Sequence, residues 1–138
     1  MSKNRVIKGC GFHHVAIRAH DFEASVRFYT EALGFVERIR WGDEESRAVM
    51  LDTGDGNYIE IFSGGATDPK PEGSILHFAL RADNCDSALN RARAAGATII
   101  MESKDILIPS VPDPTPIRIA FCKGPDGEVI EFFESRTT

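Results

Sequence analysis

Residues 14–21, His-Val-Ala-Ile-Arg-Ala-His-Asp, align without a gap to residues 77–84, His-Phe-Ala-Leu-Arg-Ala-Asp-Asn, at a constant offset of 63. Residues 55–62, Asp-Gly-Asn-Tyr-Ile-Glu-Ile-Phe, align in the same way to residues 126–133, Asp-Gly-Glu-Val-Ile-Glu-Phe-Phe, at an offset of 71. An internal repeat constrains a fold more than composition does, because both copies must adopt one supersecondary unit and bury their apolar faces together. The offset grows by eight residues between the two matches, and residues 103–116 contain Pro109, Pro112, Pro114 and Pro116. Four prolines forbid a helix, so the extra length reads as an extended loop. Lys104 stands at its start and Ile106, Leu107, Ile108 and Val111 lie within it, which makes it a candidate lid or dimer contact.

Local patterning gives each copy the same order of elements. Residues 14–19 form a short run with β-branched side chains, and Asp21 is a good N-cap for a helix that carries Phe22, Val26, Tyr29 and Leu33 at helical spacing up to Gly34. The counterpart helix ends at Gly96 and places Leu89, Ala92 and Ala95 on one face. Strands follow at 48–51 and 57–62, joined by an Asp-Gly turn, and again at 117–121 and 128–133; a further strand is expected near 37–41 and near 98–101. The expected class is α+β. One domain spans 1–138, with module one over about 9–63, a Gly- and Pro-rich linker over about 64–74 and module two over about 75–135.

The chemistry lies in what the two copies share. Each first strand begins with a histidine, His14 or His77, and each last strand carries one glutamate, Glu60 or Glu131, inside an apolar run. An ionised carboxylate among buried neighbours is costly unless it is paired or coordinated. A single histidine at a strand start is usually a half-buried structural residue, and a single glutamate on an edge strand usually faces water. Matching types at matching places in both copies favour a ligand role, so His14, Glu60, His77 and Glu131 are expected to converge by pseudo-twofold symmetry on one divalent metal. An N2O2 set suits zinc, nickel, iron, cobalt or manganese and does not choose among them. His13 faces the opposite side in a regular strand, has Leu76 as its counterpart, and reads as structural or exposed. His20 reads as a loop residue beside the helix cap.

Bulk properties exclude other classes. A chain of 138 residues with a net charge of −5 has no basic excess to neutralise phosphates, so nucleic acid is not an expected partner. Apolar runs fall far short of the roughly 20 residues that span a bilayer, and no apolar stretch follows the basic residues near Met1, so a cytoplasmic setting is the expectation. Cys10, Cys85 and Cys122 form no Cys-x-x-Cys pair and read as reduced, buried thiols.

His14-Val-Ala-Ile, Phe28-Tyr29, Leu33-Gly34-Phe35, Ile59-Glu60, His77-Phe-Ala-Leu and Gly124-Pro-Asp-Gly-Glu-Val-Ile-Glu131 together resemble the vicinal oxygen chelate superfamily over nearly the whole chain. Its members include glyoxalase I, methylmalonyl-CoA epimerase, extradiol dioxygenases, fosfomycin-resistance proteins and metal-free bleomycin-binding proteins. The resemblance implies two tandem βαβββ modules forming a half-barrel around a metal site, often completed by pairing of two chains into a homodimer.

A His-Glu-His-Glu set is similar to that of glyoxalase I, lactoylglutathione lyase, whereas the epimerases tend to carry Gln at the position of Glu60. The implied reaction on a small-molecule substrate is proton transfer beside a carbonyl through an enediolate that the metal stabilises. Glu131 is then the better candidate for the base, with Glu60 serving the opposite face. In glyoxalase I an arginine four residues after the first ligand binds a glutathione carboxylate, and Arg18 stands there. An asparagine four residues after the first glutamate ligand does the same work, and here that residue is Gly64. Arg81 repeats Arg18, so both are equally readable as strand surface charges. The alternatives are an acyl-CoA epimerase-like isomerase and a non-catalytic small-molecule binder of the bleomycin-resistance type, for which Trp41 is a candidate lining residue.

Overall fold

The computed structural model describes residues 3–138. Strand β1 (His14–Arg18) runs into Asp21, whose carboxylate accepts the Ala24 N–H at 3.0 Å and starts α1 (Phe22–Arg27). The helix expected to continue regularly to Gly34 instead widens into a π-helical turn (Phe28–Ala32), with the Leu33 N–H donating to the Phe28 carbonyl at 3.3 Å. The Thr30 hydroxyl donates to the Val26 carbonyl at 2.7 Å and competes with the ladder there, and the wider turn accommodates Phe28 and Tyr29 both as buried neighbours. Gly34 at φ +78° closes the turn, a conformation in which a side chain would be strained.

Strands β2 (Val36–Gly42), β3 (Arg47–Asp52) and β4 (Tyr58–Phe62) complete the first sheet, in the order β1-β4-β3-β2. The second copy repeats this with β5 (Phe78–Arg81), α2 (Cys85–Ala94), β6 (Thr98–Ile108), β7 (Thr115–Lys123) and β8 (Val129–Ser135), in the order β5-β8-β7-β6. In each sheet the first strand pairs parallel to the last and the other pairs are antiparallel. The α+β class and the tandem βαβββ architecture are therefore as expected. No helix among the described residues is long and apolar enough to cross a membrane.

Three local expectations are corrected. Lys104, Ile106, Leu107 and Ile108 are not in a loop or lid: β6 and β7 extend as a hairpin, and only the stretch 109–114 is unpaired. Pro116 is tolerated in β7 because it pairs with Leu107 beyond the end of the β7–β8 ladder, where its missing N–H costs no bond to β8. On α2 the buried residues are Cys85, Leu89 and Ala92, while Ala95 is an exposed cap. Cys85 and Cys122 are buried free thiols as expected, and burial pushes the Cys122 thiol up to about 11, but Cys10 is exposed.

Strand alternation sends Val15, Ile17, Ile59 and Ile61 of the first sheet, and Phe78, Leu80, Ile130 and Phe132 of the second, into one shared core with the helices. The modules are also joined by polar bonds. Asp126, only 4% exposed, accepts the His20 backbone N–H at 2.7 Å, His20 Nδ1–H at 2.8 Å and the Ser25 hydroxyl at 2.8 Å. Arg91 donates to the Ala32 carbonyl at 2.7 Å, and the buried Tyr29 hydroxyl donates to Glu128 Oε1 at 2.9 Å. The two copies thus meet through their helix-bearing faces, and the opposite face of each sheet is left open.

Burial holds the Glu128 carboxyl above its ordinary value of 4.5, and the Tyr29 hydroxyl, buried beside it, is pushed up as well. Above pH 4.5 the folded chain therefore binds more protons at Glu128 than the unfolded chain does. Stability is expected to fall as pH rises through that window, until Glu128 ionises in the folded state too. Urea unfolding of the protein and of Glu128→Gln across acid to neutral pH checks this: the substitution should flatten the fall, and equal slopes would show that burial does not hold the proton on Glu128.

Candidate metal centre

Glu60 pairs across the ladder with Ala16, two residues beyond His14 on the same face, and Glu131 pairs with Ala79, two beyond His77. The alternation that buries Val15 and Phe78 therefore turns both histidines and both glutamates to the open faces. His14 Nε2 lies 3.3 Å from Glu60 Oε2, and His77 Nε2 lies 2.9 Å from Glu131 Oε2. The histidine side chains are 39% and 36% exposed but the carboxylates only 12% and 11%. Neither contact has the N–H···O alignment of a hydrogen bond. Imidazole nitrogen and carboxylate oxygen stand side by side, the relation of two donors to a common third atom. A withdrawn carboxylate whose one polar neighbour is an imidazole is costly unless a cation joins them, and this donor chemistry fits a divalent metal.

The four residues do not converge within one chain. Among the described residues no group of three or more His, Cys, Asp or Glu side chains is placed to hold one ion. The physical reason lies in the packing: the modules are joined by the faces opposite to those that carry the donors, so each chain presents two candidate half-sites of one His and one Glu.

Arg18 lies on the His14 face with its guanidinium 5.7 Å from the centre of the Phe62 ring, and Nη1 donates to the Ser63 carbonyl at 2.9 Å. A Cβ added at Gly64 would lie 3.8 Å from that Nη1. Lys104 pairs with Ile119, which shares a face with Phe121 and so with Glu131. Phe121 meets the His77 ring edge-on at 5.4 Å. Trp41 contacts Phe62 edge-on at 6.3 Å beside the first half-site.

Two roles escaped sequence reasoning. His20, read as a loop residue, ties the modules through Asp126, and the only signal was the recurrence of the Asp-Gly turn, which also fits a bare hairpin. His13 does not face away from His14: its Nδ1 lies 3.0 Å from His14 Nδ1. Strand β1 begins at His14, so alternation does not govern the residue before it.

Duplicated βαβββ modules, each a four-stranded sheet with one His–Glu pair on its open face, define the class of tandem βαβββ half-barrel proteins. The profile of the Glyoxalase/Bleomycin resistance protein/Dioxygenase superfamily matches residues 11–132, and the chain belongs to that superfamily. It is 32% identical to the uncharacterized protein YwbC of Bacillus subtilis over 88% of this chain and 94% of the relative. It is 25% identical to a probable lactoylglutathione lyase of Vibrio parahaemolyticus over 99% and 94%. A glyoxylase/bleomycin resistance protein/dioxygenase domain from Frankia sp. superposes with a TM-score of 0.75 at 22% identity, covering 92% of this chain and 98% of the other.

Proposed function

We propose that the chain is a cytoplasmic, metal-dependent lyase or isomerase of the glyoxalase I kind, active as a homodimer. In each site His14 and Glu60 of one copy and His77 and Glu131 of the other hold one divalent metal, zinc, nickel, iron, cobalt or manganese. The observation that carries this reading is the twice-built pair of an imidazole Nε2 beside a withdrawn carboxylate on an open sheet face. A twofold-related copy, which presents the same two half-sites, is the economical way to complete both. The Vibrio relative's name supports the lyase reading over an oxygenase.

When bound, the metal would supply Lewis acidity toward the carbonyl of an α-hydroxycarbonyl or thioester substrate. On an α-hydroxycarbonyl Glu131 takes the proton from the carbon beside the carbonyl and returns it one carbon away; on an epimerisable thioester Glu60 returns a proton to the same carbon from the opposite face. Arg18 and Lys104 hold an anionic group of the substrate, while Trp41 and Phe62 keep water from the first half-site.

Glutathione is the weaker substrate choice. With Gly64 beside Arg18 the site lacks the polar side chain that would share a glutathione carboxylate, which favours as a second reading an isomerase acting on acyl-CoA thioesters. Assays of protein loaded with each metal, on a hemithioacetal and on an epimerisable acyl-CoA, separate the two. Turnover of one substrate is expected, with kcat lowered about 10²- to 10⁴-fold in Glu131→Gln. Full turnover in that variant would remove Glu131 from the base role, and no turnover of either substrate would sink the enzyme reading.

A further inference from the structure

We propose that the cleft between the Asp55 turn and the β5–α2 junction is a binding site for a zwitterionic small molecule of the α-amino acid type that carries an apolar side chain. The repeat explains why a cleft exists there. Asp126 and Glu128, which tie the modules together at one join, correspond at an offset of 71 to Asp55 and Asn57. Their partners His20, Ser25 and Tyr29 correspond at an offset of 63 to Asp83, Ala88 and Ala92. The second join has therefore lost an imidazole, a hydroxyl and a phenol ring. Small residues in place of larger ones leave an open volume of about 500 Å³, within the range of small-ligand sites.

Its lining has an apolar floor and a charged rim. Leu33, Phe35 and Phe132 supply the floor, with both phenylalanines buried, while the exposed Asp55, Asp83, Arg81 and Arg91 stand around it. In the first join a carboxylate meets an imidazole. The second brings two carboxylates to one cleft, and like charges repel unless a cation comes between them. Asp55 Oδ1 accepts the Thr53 hydroxyl at 2.7 Å and the Asn57 N–H at 3.1 Å, both within its own turn, which leaves Oδ2 without a hydrogen bond among the described residues.

The two arginines differ in what they have to give. Arg91 is committed, its Nε and Nη2 donating to the Ala32 and Glu31 carbonyls at 2.7 and 3.3 Å. Arg81 has neither a hydrogen bond nor an ion-pair partner among the described residues, and its planar fork matches a carboxylate. Strand β5 is also the edge of its sheet, paired with β8 alone, so it brings unpaired main-chain groups to the same cleft. An α-amino acid carries the three complementary parts: an ammonium for Asp55 and Asp83, a carboxylate for Arg81, and an apolar side chain for the floor.

Isothermal titration of the metal-free full chain with L-phenylalanine, phenethylamine and 3-phenylpropionate reads these contacts separately. Saturable binding of phenylalanine is expected, with each single-charge analogue weaker by about 10-fold or more. Arg81→Gln should weaken phenylalanine about 10-fold and leave phenethylamine unchanged, whereas Asp83→Asn should weaken both. Ala88→Leu, which fills the cleft, should abolish binding at an unchanged urea midpoint, and the exposed Arg81 variant decides the case if the leucine variant fails to fold. No saturable binding of phenylalanine tighter than about 10 mM would overturn the site. Equal affinity for phenylalanine and phenethylamine, or a neutral Arg81→Gln, would overturn its zwitterionic character. The titration uses metal-free protein and is independent of the donors His14, Glu60, His77 and Glu131.

Discussion

Mixing His14→Ala chains with His77→Ala chains is expected to restore metal binding that neither variant has alone. In a homodimer of either variant both sites lack the same imidazole. In a mixed dimer one site has lost both imidazoles and the other has all four donors, His14 and Glu60 from one chain and His77 and Glu131 from its partner. Random exchange makes half of the dimers mixed, so elemental analysis should find about a quarter of an equivalent of metal per chain. Native mass spectrometry verifies that subunits have exchanged. No recovery in a verified mixture would overturn the site shared between two chains. The expectation follows from the way the modules are joined: the helix-bearing faces are buried against each other, and the donors point the other way.

Asp126→Ala is expected to weaken the join between the two modules strongly. The carboxylate accepts three hydrogen bonds from the first module while nearly withdrawn from water, and the Ser25 hydroxyl it accepts from is fully buried. Truncation removes three bonds to a charged acceptor and leaves that hydroxyl and the His20 N–H without partners. The expected loss is about 3 kcal/mol, read by urea unfolding, and a fall in Tm of about 10 °C. Asp126→Asn keeps one accepting oxygen and should lose less. A loss below about 1 kcal/mol would show that the shared apolar core alone holds the modules together. Because Asp126 enters the turn that leads into β8, five residues before Glu131, the same bonds also set where the second half-site lies relative to the first module.

Much of the fold was legible because repetition and strand alternation are local signals. The strands around Val15, Ile59 and Ile130, the Asp21 cap and the turn at Gly34 each follow from a few neighbouring residues. Expectations failed where a distant contact competed with a local rule. The helix through Phe28 and Tyr29 widened because both side chains found places in the core. The proline-containing stretch after Lys104 joined a long hairpin because β7 was available to pair with it and β8 had already ended.

The sequence by itself determined the duplicated strand-helix-strands unit and the one histidine and one glutamate of each copy, since these are carried by periodicity and by residues that recur in step, and its motifs carried the resemblance to the superfamily. Only the tertiary structure decided that His14 and Glu60 stand apart from His77 and Glu131, that Asp126 and His20 bind the modules, and that His13 reaches His14. A repeat specifies the two halves and their inner faces equally well whichever way the modules dock. The choice between docking by the helix faces and docking by the donor faces rests on contacts between residues about a hundred positions apart, such as Tyr29 with Glu128 and Ser25 with Asp126, and no local pattern encodes them.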